Sequence, residues 1–380
     1  MDVLVAPDSF GGTLRAGEVT DAFRLGWLDV RPSDTVRTLP MSDGGEGLLA
    51  VLGAFHPGAR RTVVEVAGTD TRPVDAPVLW LDERTAVLES ATICGLPPAG
   101  QPRRPLEATS YGVGQALAHV AAEGAEQVVL GLGGTGVVDG GSGALNGLGM
   151  RLRVADGSGL RVGAGDLARC TDVDPGWARW PDGVRLTLLA DTDLLLADAV
   201  PRFGPQKGVT AGQVGPVTDA IASWADVLCT AFPGTVSPLT PGSGAAGGLG
   251  FALAVALGGE LVSGSGWVAT HLGLDAAVAG ADLVVTGEGR LDATSATGKV
   301  VAGVLSVARA RRRAVAVIAG LVAPGAGEAI GVPAERIVTA PATTPGPAAH
   351  DAVRRAAMTL AQRTTSVHSA AGRASDRADG

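Results

Sequence analysis

Lysine is nearly missing from this 380-residue chain: thirty residues are Lys or Arg, and only Lys207 and Lys299 are lysine. Arginine therefore fills almost every cationic role, and both lysines follow or precede glycine, in Gly-Pro-Gln-Lys207-Gly and Gly-Lys299. A compact ammonium in a glycine-flanked turn suits phosphate chemistry, where a planar guanidinium does not substitute freely. Aromatic residues make up only 3%, so the core must be built from Ala, Val and Leu; Tyr111 is the single tyrosine and Asn146 the single asparagine. Cysteine is scarce too. Cys94, Cys170 and Cys229 lie far apart without a CxxC pair, which excludes a disulfide framework or a zinc site and fits thiols in a reducing compartment. Basic charge is not in excess: the net charge of −8 argues against nucleic acid as a partner.

Long apolar runs are also lacking. The most membrane-like segment, Gly244–Gly259, is short of a span and broken by Gly247, Gly248 and Gly250, so it reads as a buried helix behind a glycine turn. The N-terminal Met1-Asp2-Val3-Leu4-Val5 has no basic region or small-residue cleavage site and reads as a buried strand, not a signal peptide. A cytoplasmic protein without membrane contact is expected. The five histidines (His56, His119, His271, His350, His368) show no ligand spacing.

Glycine is abundant, with 57 residues but no Gly-X-Y period, which excludes collagen. It concentrates in Gly131–Gly143, Gly-Leu-Gly-Gly-Thr-Gly-Val-Val-Asp-Gly-Gly-Ser-Gly. The apolar Val128–Leu130 precedes it and a helical pattern with Leu145, Leu148 and Met150 follows. Strand, glycine turn and helix start in that order let backbone N–H groups approach an anion closely.

The same strand–acidic turn–helix pattern recurs along the chain, at Asp8, Asp43, Asp139, Asp191 and Glu288/Asp292. Val3–Pro7 reads as a buried parallel strand, Val36–Leu39 as a second strand, Leu186–Ala190 and Asp282–Thr286 as buried strands, and Val315–Ile318 and Ile337–Val338 as parallel-type strands. Val63–Val66, Val78–Leu81 and Ala86–Glu89 alternate as antiparallel strands do. Helices are expected after Thr13, with Val19, Ala22, Phe23 and Leu25 on one face, from Thr109–Gly114 to about Ala122, and over about Ala211–Thr230. Pro233–Gly244 reads as a loop or lid. The length favours two domains: an α/β domain from 1–75 and 280–363, an inserted α/β domain over 76–279, and a disordered tail over 364–380.

Carboxylates at several strand ends, glycine anion loops and two guarded lysines point to phosphoryl transfer, which needs cradled phosphates, Mg²⁺ on oxygen ligands and an oriented hydroxyl. Neither lysine lies in a Walker A motif, and the protein-kinase motif set is absent. A rival reading is a dinucleotide-dependent oxidoreductase: Gly131-x-Gly133-x-x-Gly136 fits the dinucleotide fingerprint, with Asp156 downstream. The extra glycines Gly140, Gly141 and Gly143 would weaken the helix that such a site requires.

Seven motifs carry a more specific resemblance: Ala-Pro-Asp8-Ser-Phe, Pro-Met-Ser-Asp43-Gly-Gly-Glu-Gly, Thr-Ser-Tyr111-Gly, the Gly131–Gly141 run through Asp139, Phe-Gly-Pro-Gln-Lys207-Gly, Gly-Ala-Ala-Gly-Gly (244–248) and Gly-Glu288-Gly-Arg290-Leu-Asp292. In order and spacing, from residue 1 to about 360, the chain resembles bacterial glycerate kinases of the type-1 family. The resemblance implies ATP- and Mg²⁺-dependent phosphorylation of glycerate or a similar hydroxy acid. It also implies two α/β domains with a ligand cleft between them, the domain built from both chain ends carrying a mostly parallel sheet.

Roles assigned on that basis put Asp8 or Asp191 as the base and Lys207 on the transferring phosphoryl group. Arg290 would hold the substrate carboxylate, with Ser9 and Ser42 on its hydroxyls. Gly133, Gly134, Thr135, Gly140, Gly141 and Lys299 would cradle nucleotide phosphates, and Asp43, Asp139 and Asp292 would face Mg²⁺. The chain departs from the family pattern at Gly11, where the family has lysine, at Val137-Val138, where it has Thr-Asn, and at Asp193, where it has Asn. About three residues are also missing before Phe203. These departures bear on rate and substrate identity. A non-catalytic ligand-binding relative is the alternative they motivate.

Overall fold

The computed structural model describes residues 1–375 apart from Ala99, Thr235 and Gly298, with side chains through Thr364. Its strands, in chain order, are β1 (Asp2–Val5), β2 (Thr35–Thr38), β3 (Arg60–Ala67), β4 (Pro73–Trp80), β5 (Thr85–Glu89), β6 (Gln127–Gly131), β7 (Arg151–Val154), β8 (Cys170–Asp174), β9 (Arg185–Ala190), β10 (Glu260–Ser263), β11 (Leu283–Leu291), β12 (Ala314–Val322) and β13 (Ile337–Thr339). The chain divides into two compact units, Met1–Asp43 with Ser265–Gly380, and Gly44–Gly264.

The first unit holds a sheet in the order β13-β12-β11-β1-β2. Every pairing in it is parallel, with Val3 beside both Leu283 and Val36. Strands buried on both faces read as continuous apolar runs, and Val3, Val5, Leu283, Val285, Ala316 and Ile318 are nearly or fully inaccessible. The helix Ala16–Val30 begins where Glu18 accepts from the backbone N–H of Arg15 at 2.7 Å. It buries Val19, Ala22, Phe23 and Trp27. Leu25 is 43% exposed instead of buried, because the stripe advances by three and four residues and passes over it. This helix packs on the C-terminal helix Pro347–Ser375. They approach closely at Gly26, where a Cβ would run into the Arg354 carbonyl oxygen.

The second unit holds a sheet in the order β10-β9-β6-β5-β4-β3. Its first four strands run parallel, and β5, β4 and β3 form an antiparallel meander. The hairpin β7–β8 stands apart. The core here is aliphatic, as the shortage of aromatics requires, with Trp80 and Trp224 among its few fully buried rings. The apolar segment after Gly244 becomes the helix Leu249–Leu257, buried over Leu249–Ala254.

Four boundaries differ from the sequence reading. The first unit ends at Asp43, not 75, and resumes at Ser265, not 280, because β3 pairs with β4 along its whole length and belongs to the second sheet. Strand β11 does not stop at Thr286; Glu288 pairs with Ala319 and Arg290 with Leu321 along an equally long β12. The expected tail from 364 is helical through Ser375, and 376–380 lie outside the described residues.

Candidate functional site

In open α/β sheets, ligands bind beyond the carboxyl ends of the strands. In the first unit three such ends adjoin, because β11, β1 and β2 are neighbours. Backbone bonds fasten them together: the Asp8 N–H donates to the Gly287 carbonyl at 2.8 Å, and the Met41 N–H donates to the Pro7 carbonyl at 2.9 Å. Asp8, Ser9, Ser42, Asp43 and Glu288 are thereby gathered at one edge of one sheet. The Asp8 carboxylate accepts from the Ser9 N–H at 2.6 Å. Asp8, Ser9 and Asp43 are half-buried, and Ser42 is buried.

Glu288 is the residue that sequence reasoning passed over, noting it only as an acidic turn. Its Oε1 is buried with no hydrogen-bond partner among the described residues. Burial pushes its carboxyl pKa up; a Ser295 hydrogen bond and the Lys299 charge oppose this, while the charges of Asp292 and Asp43 add to it. An orphaned carboxylate oxygen within reach of a second carboxylate and an ammonium is a polar centre that the fold does not complete by itself. The Gly-Glu288-Gly spacing was the available signal.

Arg290 and Asp292 lie on the same stretch. Arg290 is 67% exposed and pairs with Asp292 at 3.4 Å, which leaves its guanidinium open to a carboxylate. The Asp292 carboxylate accepts from the Thr294 N–H at 2.9 Å and its hydroxyl at 2.6 Å. Those bonds, with the Arg290 charge, hold its pKa down. Asp292 thus caps the short turn that follows. Lys299 is exposed at the start of the helix Val300–Ala310.

The second unit carries the glycine run. Gly133 and Gly134 are exposed, while Thr135 is buried. Gly140 and Gly141 do not form a phosphate cradle. Both are buried in left-handed backbone, φ 60° and 74°. A Cβ on them would stand 2.7 Å from the Trp224 ring and 2.6 Å from Ala252, so these glycines make room for the protein's own core. The helix start likewise falls at Ser142, well past the fingerprint glycines. Asp156 sits in an exposed turn, accepting from Ser158 N–H at 2.8 Å, and a dinucleotide site is not formed.

Asp139 and Lys207 are also interior residues. Asp139 is fully buried and accepts from Ser110 N–H at 2.7 Å, from the Ser110 hydroxyl and from Gly141 N–H at 3.2 Å. Burial raises its pKa and these donors oppose the rise. It is a knot tying the loop to the Thr-Ser-Tyr111-Gly segment, and a metal has no approach to it. Lys207 is 5% exposed and donates to the Val137 carbonyl at 2.8 Å and the Thr135 hydroxyl at 3.2 Å. Burial lowers its pKa to about 8, and the neighbouring Cys94 and Asp139 groups oppose the shift. It braces the glycine loop from beneath.

Asp191 is half-buried just past β9. The Pro233–Gly244 segment is tied down: the Leu196 N–H and the Ser243 hydroxyl both donate to the Pro238 carbonyl, and the Gly244 N–H donates to the Leu194 carbonyl. Of the expected metal trio, Asp43 and Asp292 lie in the first unit and Asp139 in the second. Among the described residues no group of three or more His, Cys, Asp or Glu is arranged to hold a metal ion. Likewise, no described helix is long and apolar enough to cross a membrane.

Comparison with known proteins adds an independent line. The chain is 36% identical to glycerate 2-kinase of Escherichia coli (strain K12), over 84% of this chain and 85% of that protein. It is 36% identical to glycerate kinase of Bacillus subtilis (strain 168), over the same shares. A crystal structure from Salmonella typhimurium LT2, described as a glycerate kinase 2, superposes with a TM-score of 0.77 at 30% identity, covering 97% of this chain and 99% of that one. The profile of the glycerate kinase family matches residues 3–371, and this chain belongs to that family.

Proposed function

We propose that the protein is an ATP-dependent kinase that transfers the γ-phosphoryl group of ATP to a hydroxyl of glycerate, giving phosphoglycerate and ADP. The observation that carries the residue assignment is the convergence of Asp8, Ser9, Ser42, Asp43 and Glu288 at adjoining strand ends of one parallel sheet. The exposed Arg290 guanidinium suits a bidentate pair with the substrate carboxylate, and the Ser9 and Ser42 hydroxyls suit its hydroxyl groups. Asp8 is the base. As the substrate oxygen bonds to the γ-phosphorus and the bond to the leaving ADP oxygen breaks, the hydroxyl proton passes to the Asp8 carboxylate.

The donor set fits Mg²⁺. Magnesium is held by one or two carboxylates together with waters and substrate phosphates, and the orphaned Glu288 Oε1 with Asp43 supplies hard oxygens of that kind. Bound there, Mg²⁺ would neutralise phosphate charge. Asp43 and Glu288 replace the expected trio of Asp43, Asp139 and Asp292. Lys299 lies within the electrostatic reach of Glu288 and adds positive charge for the nucleotide. The free cysteines accord with a cytoplasmic enzyme.

An ADP-coupled assay with ATP, Mg²⁺ and D-glycerate tests this reading. Turnover abolished in Asp8→Asn and kept in Asp191→Asn assigns the base; the reverse pattern moves that role to Asp191. A melting shift with ATP but no ADP release under any glycerate concentration would overturn the enzymatic reading in favour of a binding protein.

A further inference from the structure

The strands of the first sheet begin as well as end together. At their amino-terminal edge, a strand's length from Asp8 and Glu288, lies a concave pocket of about 580 Å³. Four arginines from three segments line it: Arg31 after the first helix, Arg312 and Arg313 in the turn before β12, and Arg336 before β13. The Met1 amino group and the Asp282 carboxylate complete its charged lining.

The charges do not balance. Asp34 pairs with Arg31 and with the Met1 amino group. Asp282 accepts from the Asp2 N–H at 2.8 Å. No ion pair to Arg312, Arg313 or Arg336 exists among the described residues. The Arg313 Nε is buried without a hydrogen-bond partner, although the same guanidinium donates through Nη2 to the Ala279 carbonyl. Arg312 stands in left-handed backbone, φ 54°, at the end of the helix Val300–Ala310, where its N–H donates to the Arg309 carbonyl and the Arg313 N–H to the Ala308 carbonyl. Three unmatched guanidiniums in one concavity repel one another, and a planar fork matches phosphate and carboxylate oxygens in pairs.

We propose that this pocket is a second ligand site, separate from the phosphoryl-transfer site, for a small phosphorylated organic acid bearing two or more negative charges. A phosphate and a carboxylate on one small molecule engage guanidiniums from two segments at once. Inorganic phosphate engages one anchor and binds more weakly. The pocket does not depend on the kinase assignment, since none of its residues belongs to the proposed reaction machinery.

The test is titration calorimetry on the full chain with 3-phosphoglycerate and, separately, inorganic phosphate. Arg312→Gly and Arg336→Gln are combined in the variant; glycine relieves the left-handed backbone at 312, so the fold is kept. The wild type is expected to show two 3-phosphoglycerate binding events, one at the transfer site where it is the product and a second that the variant loses or weakens at least tenfold, with melting temperature and ATP-dependent turnover of glycerate unchanged. Identical isotherms for the two proteins overturn the site. Inorganic phosphate binding as tightly as 3-phosphoglycerate overturns the organic acid as its ligand and leaves an adventitious ion only. Lost turnover with unchanged isotherms also overturns it, without touching the kinase reading.

Discussion

Lys207 donates a hydrogen bond at 3.2 Å to the hydroxyl of Thr135, 72 residues away in sequence, inside the second unit. That contact makes one of the chain's two lysines a brace of the glycine loop. Replacing Lys207 by Arg should therefore lower stability, by about 1–3 kcal/mol, because a larger group is forced into a packed interior. Lys207→Met should cost a similar amount by leaving the Val137 carbonyl and Thr135 hydroxyl unsatisfied. Thermal melts read both. An unchanged melting temperature in Lys207→Arg would show that the brace is not structural.

Glu288→Gln should leave the fold intact, since removing a buried charge does not cost stability. Turnover should fall by about a hundredfold or more, with a higher Mg²⁺ concentration needed for half-maximal rate. Turnover and Mg²⁺ dependence equal to wild type would remove Glu288 from the site.

Gly11 stands where the family carries lysine. Its backbone is not among the left-handed glycines, and a Cβ there would meet nothing within 4 Å. Gly11→Lys should thus fold normally. Restoring a charge-assisted hydrogen bond of about 1.5–3 kcal/mol should raise kcat/KM for glycerate roughly tenfold or more. Steady-state kinetics beside a melting curve decide this, and an unchanged kcat/KM would mean that the missing lysine is immaterial.

The Asp34 carboxyl governs acid stability in the first unit. Burial alone would raise its pKa, but hydrogen bonds from Arg31, Trp27 and the amino terminus outweigh it and lower the value from 3.8 to about 2. A depressed carboxyl pKa contributes stability that is present above about pH 4 and lost as pH falls through about 2. The shift corresponds to roughly 2 kcal/mol. Denaturant unfolding of wild type and Asp34→Asn from pH 7 to 2 should show a stability gap that closes over that window; a gap independent of pH would refute it.

Gly26→Ala should destabilise by about 1–3 kcal/mol through overpacking, because its new Cβ would meet the Arg354 carbonyl where the two helices cross. A melt equal to wild type would show that the C-terminal helix shifts without cost.

Local signals determined much of this protein. Apolar runs marked β1, β6, β9, β11 and β12, because strands buried on both faces carry no alternation to blur. Alternation marked the β3–β5 meander, and the seven ordered motifs marked the family. What the sequence left open was which face each polar residue would present. Asp43, Asp139 and Asp292 look alike as acids beside glycine, yet Asp139 is sealed under Ser110, Asp292 caps its own turn, and Asp43 stays near Glu288. Gly133 and Gly140 share one run, yet only Gly133 is exposed. Those distinctions depend on partners tens of residues away, such as Ser110 and Trp224. Burial and hydrogen bonding to distant residues are properties of the packed chain, and only the tertiary structure decides them.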